Sequence, residues 1–399
     1  MSNSLNIILD SHGGGANSLA ARAHLFIPGE RVTGKVVLML EEDTEISAVV
    51  VRFRGKCKTQ VPHNEDAITH KFFMFAFEKR LFEGPFTLRA DTHEWPFSFT
   101  FPEHYEMKSN PFRGVGCAGM SKSSTGRQPL LPSMSMHAGE TEAHVQYKLQ
   151  ARVPRTFVDW KSKVSLNLTP VRLEALPDPH VISRKQVHAP WTQLYRYTEN
   201  FVPRPLSSKE KFKSKFHAKS DNRSITFSFS ASAPTGIVIG RPYPVTITLN
   251  TEPTDMVIPT FFLHSPRAHL DAHTNLCVPG SFHDHKAYKE QNIGLNNIST
   301  TNFEMQPNKP VTLKHVFPKL LHAPPTFSSI SLARKYGLSI HFKITMLEEK
   351  FDVVCKFPEV TLFAAKMEDG VEEAINAVNQ AAPRYEGPTA GPPIYEAGP

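Results

Sequence analysis

Apolar and polar residues alternate along this chain in short bursts that keep returning. Leu5-Asn-Ile-Ile-Leu9 is the first, followed by Lys35-Val-Val-Leu-Met-Leu40. Phe26-Ile-Pro-Gly29 leads into the second, and its Pro28-Gly29 pair predicts a turn: proline presets φ, and glycine accepts a positive φ. Glu45-Ile-Ser-Ala-Val-Val-Val-Arg-Phe-Arg54 is β-branched and is expected to close at Gly55. Phe72 to Phe77, Trp95-Pro-Phe-Ser-Phe-Thr-Phe101 and His144 to Val153 repeat the period of two. Up to residue 366 nothing reads as a sustained amphipathic helix. Many short strands between turn signals predict an all-β chain of antiparallel sandwiches.

The pattern runs twice. Ser224 to Ser230 opens a second set, and Gly240-Arg-Pro-Tyr-Pro-Val-Thr-Ile-Thr-Leu249 echoes the early turn and strand. Phe99-Thr-Phe101-Pro102 is echoed by His315-Val-Phe317-Pro318, and Tyr147-Lys-Leu149-Gln-Ala151 by Tyr336-Gly-Leu338-Ser-Ile340, in the same order. The expected division is a sandwich over 1–175, a Pro-rich then basic linker over 176–220, a second sandwich over 221–366, and an acidic tail over 367–399. Two stretches interrupt the alternation. Residues 108–139 are rich in Ser, Gly, Pro and Met, and 264–309 in His and Asn; both are expected to be long loops.

Composition narrows the class. The chain has 399 residues, 33 of them proline, which disfavours long helices. No run approaches the ~18 apolar residues of a membrane span. The start, Met1-Ser-Asn-Ser-Leu-Asn-Ile7, lacks a basic, apolar leader, so no secretory signal is expected. Cys57, Cys117, Cys277 and Cys355 are far apart without a CxxC, and are expected to be reduced thiols of a cytosolic protein. The net charge is +7; the tail beyond Lys366 carries −5, which leaves +12 on residues 1–366. Such a body suits acidic lipid, acidic protein or nucleic acid, but no stretch interleaves base-stacking aromatics with Lys/Arg, so nucleic acid is not expected.

Motifs that would carry chemistry lack their context. His12-Gly-Gly-Gly15 matches an esterase oxyanion-hole motif, but no G-x-S-x-G elbow or α/β alternation accompanies it, so a hydrolase is the least favoured alternative. Gly114-Val-Gly116-Cys-Ala-Gly119 fits a dinucleotide fingerprint without the strand before or helix after. His283-Asp-His285, with His264, His269 and His273, offers metal-ligand atoms without a usual spacing. No catalytic residue, metal or cofactor is expected.

The tail is more specific. Asp369-Gly-Val-Glu372 resembles a capping box, with Val371, Ile375 and Val378 on one helical face. Beyond it stands Pro392-Pro393-Ile-Tyr395, preceded by the half-match Pro383-Arg-Tyr385. Two prolines bias the backbone to polyproline II, so docking costs little entropy. Their rings fit an aromatic groove while Tyr395 reaches the next pocket, the way WW domains take ligands.

Taken together, Phe26 to Val36, Phe53-Arg-Gly55, Trp95 to Pro102, Leu131-Pro-Ser133 and Val145 to Val153 resemble an arrestin N-domain. Ser331 to Ile340 and Lys350 to Val360 resemble the end of an arrestin C-domain. With its Pro-Pro-x-Tyr tail the chain is similar to the α-arrestins, the fungal arrestin-related trafficking adaptors. The resemblance implies two tandem immunoglobulin-like sandwiches of the arrestin fold and a tail without fixed structure. It also implies a cytoplasmic adaptor, recruited peripherally to plasma membrane or endosomes, that brings a HECT-type ubiquitin ligase to membrane transporters or receptors. Pro392, Pro393 and Tyr395 would contact the ligase's WW domain, with Pro383 and Tyr385 as a secondary contact. Lys209, Lys211, Lys213, Lys215 and Lys219, interleaved with Phe212 and Phe216, offer a contact for an anionic membrane or cargo. The alternative is an arrestin-fold scaffold that recruits no ligase.

Overall fold

The computed structural model describes residues 3–10, 25–64, 66–107, 111–112, 126–169, 184–196, 208–209, 212, 223–239, 243–252, 258, 260–295, 303–313, 323–346 and 349–363. Its first half begins with β1 (Ser4–Leu9), β2 (Leu25–Phe26), β3 (Arg31–Met39), β4 (Thr44–His63), β5 (Asp66–Leu88) and β6 (Thr92–Thr100). β7 (His104–Met107), β8 (Gly126–Pro129), β9 (Met134–Ala138), β10 (Thr141–Val153) and β11 (Trp160–Leu168) complete it. The second half runs through β12 (Arg184–His188), β13 (Thr192–Arg196), β14 (Arg223–Pro234), β15 (Gly236–Val238), β16 (Val245–Thr251) and β17 (Phe261–Val278). It ends with β18 (His285–Leu295), β19 (Phe303–Met305), β20 (Pro310–Leu313), β21 (Phe327–Ser328), β22 (Leu332–Met346) and β23 (Glu349–Phe363).

Each half is two sheets face to face. In the first, β1-β3-β6 packs on β2-β11-β10-β4-β5, with β9 added beside β10. In the second, β12-β14-β16-β20 packs on β15-β23-β22-β17-β18. The correspondence is close: β2 joins β11 in parallel, as β15 joins β23, while the long neighbours are antiparallel. Alternation drives the layering. On β10 every second residue from Ala143 to Val153 is buried, and these meet Val36, Phe53 and Phe101 in one core. Phe227, Phe229, Phe261, Phe342 and Phe357 fill the second.

A buried tyrosine ties each half. Tyr147 Oη donates to Leu131 O at 2.6 Å, and Tyr336 Oη donates to Pro324 O. Gly29 takes φ 81° in the Pro28-Gly29 turn, and Glu30 N donates to Ile27 O at 3.1 Å, as a type II turn requires.

Four expectations need correction. Gly55 does not end a strand, because β4 continues to His63. A Cβ at Gly55 would lie 2.7 Å from the Phe75 ring and 2.8 Å from the Tyr147 ring, so glycine there makes room for two aromatics. The stretch 264–309 is mostly sheet, since β17 and β18 form a long antiparallel pair. Ala268, Leu270, Ala272, Thr274 and Leu276 point inward, while His269, Asp271, His273 and Asn275 alternate with them. The polar composition hid a period of two. Residues 108–139 likewise contain β8 and β9. Strands β12 and β13 fall within the stretch read as a linker and pair with β14.

Candidate interaction surfaces

The two halves meet at the far end of β4. There Cys57, Thr59 and Val61 keep the inward alternation, and the second half covers them. Thr59 Oγ1 donates to Cys277 O at 3.4 Å, and Cys57 Sγ lies 3.8 Å from Ser331 Oγ. Leu276, Val278 and Leu332 enter the first core, so apolar packing crosses the joint without a break. Burial pushes the Cys57 thiol up to about 12, the Ser331 hydroxyl offsetting it in part. A thiol that stays protonated is no nucleophile. At the rim, the His63 and His285 rings are 4.3 Å apart, and the His283 ring lies tilted 4.7 Å from that of His285.

Beside the joint lies a cavity of about 550 Å³, lined by His70, Phe72, Met74, Tyr105, Phe112 and Ile330 among others. Its walls are mainly aromatic and aliphatic. His70 Nδ1 is buried there without a hydrogen-bond partner, and burial lowers the imidazole's pKa. Burial raises the Tyr105 phenol above its usual range. A neutral imidazole among apolar rings suits contact with an apolar group that carries one hydrogen-bonding atom.

A second hollow, of about 420 Å³, opens on the β17-β22-β23 face between Arg267, His269, His341, Lys343 and Asp352. The His269 ring stands 4.7 Å from His341, and its Nε2 is 3.3 Å from Asp271 Oδ1. Ser339 Oγ donates to Asp271 Oδ2 at 2.6 Å. Burial, then the neighbouring His269, lowers the His341 pKa. Among the described residues no group of three or more His, Cys, Asp or Glu is disposed to hold a metal ion. The histidines weighed together in the sequence are parted: His269 sits at this hollow, His273 stacks on Tyr288, and His283 and His285 stand at the joint.

The sequence-predicted contacts fall elsewhere. Pro383, Tyr385, Pro392, Pro393 and Tyr395 lie outside the described residues, as do Lys211, Lys213, Lys215 and Lys219 and the two glycine motifs at 12–15 and 114–119. Lys209 is described; it is helical and exposed. The sequence reading gave Cys57, His70 and Ser331 no place at a joint or cavity. The one available signal was the alternation of β4, which runs past Gly55 with polar residues on the other face.

Residues 17–118 match the family model described as the arrestin (or S-antigen) N-terminal domain. The match spans β2 to β7 and supports an arrestin-domain protein, with the adaptor or scaffold role that such domains suggest. No curated protein matches the chain. No helix among the described residues is long and apolar enough to cross a membrane.

Proposed function

We propose that this protein is a cytoplasmic, non-enzymatic adaptor that binds membrane transporters or receptors and recruits a HECT-type ubiquitin ligase to them. The observation that carries the reading is an arrestin N-domain match in the same chain as Pro392-Pro393-Ile-Tyr395. The rigid paired sandwiches would hold cargo, and the tail would hold the ligase's WW domain through two proline rings and Tyr395. One short peptide buries far less than a standard interface of about 1,200 Å² or more, so each contact is modest. Tyr385 stands ten residues before Tyr395, at most ~33 Å along an extended chain. Tandem WW domains engaging both would gain avidity. The basic stretch from Lys209 to Lys219 would add contact with acidic lipid or cargo tails.

The test is titration of tandem WW domains against the full chain and two variants. Tyr395→Ala is expected to abolish binding and the protein's own ubiquitination, with unfolding unchanged. Tyr385→Ala is expected to weaken binding in part, because Ala382 stands where a first proline would. Retained binding by Tyr395→Ala would leave the scaffold reading without ligase recruitment.

A further inference from the structure

Four strands of the first half bring scattered cations onto one outward face. On β10 and β4, Lys148 stands opposite Arg54, Gln146 opposite Lys56, and His144 opposite Lys58. On β5, Phe73 faces Lys56 and Lys71 faces Lys58. β11 adds Lys163, opposite Gln150. Residues directly opposite in an antiparallel pair share a face about 5 Å apart, so these form one two-dimensional array. Two members are neutralised, Arg52 by Glu78 and Lys58 by Glu142. Arg54 donates to Gln150 Oε1 at 2.8 Å, and Lys56, Lys71, Lys148 and Lys163 have no carboxylate partner among the described residues.

Like charges this crowded destabilise a sheet unless something outside it answers them. Lys56 registers the crowding: burial lowers its pKa, and so do Lys71, Lys148, Lys58 and Arg54. At the centre stands an aromatic ring in the wrong place for a core. Phe73 is 54 % exposed, with the Arg54 guanidinium 5.8 Å above its ring. The register shift at Gly55/Lys56 lets consecutive Met74 and Phe75 turn inward while Phe73 turns out.

From this juxtaposition we infer that the outward face of β11-β10-β4-β5 docks on an anionic lipid bilayer, its lysines on headgroup phosphate and carboxylate and Phe73 at the interface. An array spread over four strands suits an extended anion lattice better than a single acidic peptide, which tracks one line. An aromatic ring amid cations suits the headgroup boundary, where apolar and charged groups are both accommodated. The lysines of this face lie on the opposite side of β4 from Cys57 and Thr59, while Phe73 also borders the cavity beside the joint. The inference extends the membrane contact of the proposed function to a new surface. It needs neither the tail nor a ligase.

The experiment measures binding of the full chain to vesicles of phosphatidylcholine, with and without phosphatidylserine. Wild type is expected to bind the anionic vesicles and lose them in about 1 M salt. The triple variant Lys56→Gln, Lys71→Gln, Lys148→Gln is expected to bind about a hundredfold more weakly, with an unfolding midpoint that holds or rises as the crowding is relieved. Phe73→Ser is expected to lose roughly tenfold. Neutralising the exposed second-half lysines Lys286, Lys335 and Lys350 instead controls for net charge and is expected to retain most of the binding. The inference is overturned if the triple variant binds like wild type, or if this second-half variant loses as much. It is overturned equally if wild type ignores anionic vesicles and binds soluble polyglutamate. Failure here leaves the WW-domain titration untouched, and failure there leaves this result untouched.

Discussion

The two sandwiches are close to being one design used twice, and they differ most where the design leaves freedom. Each places a tyrosine on the central strand of its larger sheet and bonds it back to an upstream carbonyl. Two residues earlier the halves part. Val145 is an ordinary buried valine, whereas Arg334 is a buried arginine held by Tyr336 Oη at 2.7 Å and Thr274 Oγ1 at 2.8 Å, with Gln291 Oε1 at 3.2 Å. The outward faces part as well: crowded lysines on the first, histidines paired with Asp271 on the second. Topology constrains what points inward; the other face is free to take a partner.

The largest effect expected is in the aromatic cores. Phe53 has ring neighbours Phe75, Phe99 and Phe101, and Phe229 has Phe227, Phe261 and Phe342. Either residue changed to Ala leaves a cavity and is expected to cost about 3–5 kcal/mol. Because Leu276 and Leu332 belong to the first core, calorimetry of Phe53→Ala is expected to show both halves unfolding earlier together. A shift confined to one of two transitions would mean that the halves are independent modules.

Next come the two tyrosines. Tyr147→Phe leaves the buried Leu131 carbonyl without its donor, at about 1–2 kcal/mol. Tyr336→Phe removes the acceptor of Arg334 Nε as well, and about 2–3 kcal/mol is expected because a charged group loses a partner. Chemical denaturation of both variants checks the order. Equal losses would show that Arg334 draws nothing from Tyr336.

The repeat itself was legible, as matched tyrosines and strand openings in the same order. So was the Pro28-Gly29 turn, whose geometry depends on two adjacent residues. Features that depend on register were not legible. Arg54, Lys56, Lys71, Lys148 and Lys163 make no run in the sequence, since each strand gives only alternate residues to a face. β17 was obscured for a related reason: its outward residues are histidines and asparagine, which read as loop when composition is weighed before period.

Acid is expected to act on the joint that the comparison leaves between the halves. Burial holds the His70 pKa below its ordinary value, and burial with His63 and His283 does the same to His285, against a raising influence from Asp284. A histidine depressed in the folded state costs no stability above the unfolded value of ~6.5. Below it the unfolded chain takes the proton more readily, so stability falls as pH drops. Unfolding midpoints measured from pH 8 down to about 5 are expected to decline below ~6.5, and His70→Phe is expected to flatten the decline. A variant profile parallel to wild type would remove His70 from the account.

The smallest effects compare equivalent exposed strand pairs, β3 with β6 and β16 with β20. The first is held across its face by Lys35 Nζ and Glu94 Oε2 at 2.8 Å, the side chains 39 % and 46 % exposed. The second uses Thr246 and Thr312, directly opposite in register with hydroxyls 3.1 Å apart. Both couplings are expected at about 0.2–1 kcal/mol, so magnitude alone cannot tell them apart. Salt can. Ions screen two charges in water and leave a pair of neutral hydroxyls nearly untouched. A double-mutant cycle of Lys35→Ala and Glu94→Ala is expected to shrink toward zero in about 1 M salt, while the cycle of Thr246→Ala and Thr312→Ala holds its value. If the lysine cycle survives salt, what joins β3 to β6 there is packing of the lysine stem, and the two halves are more alike than their charges make them look.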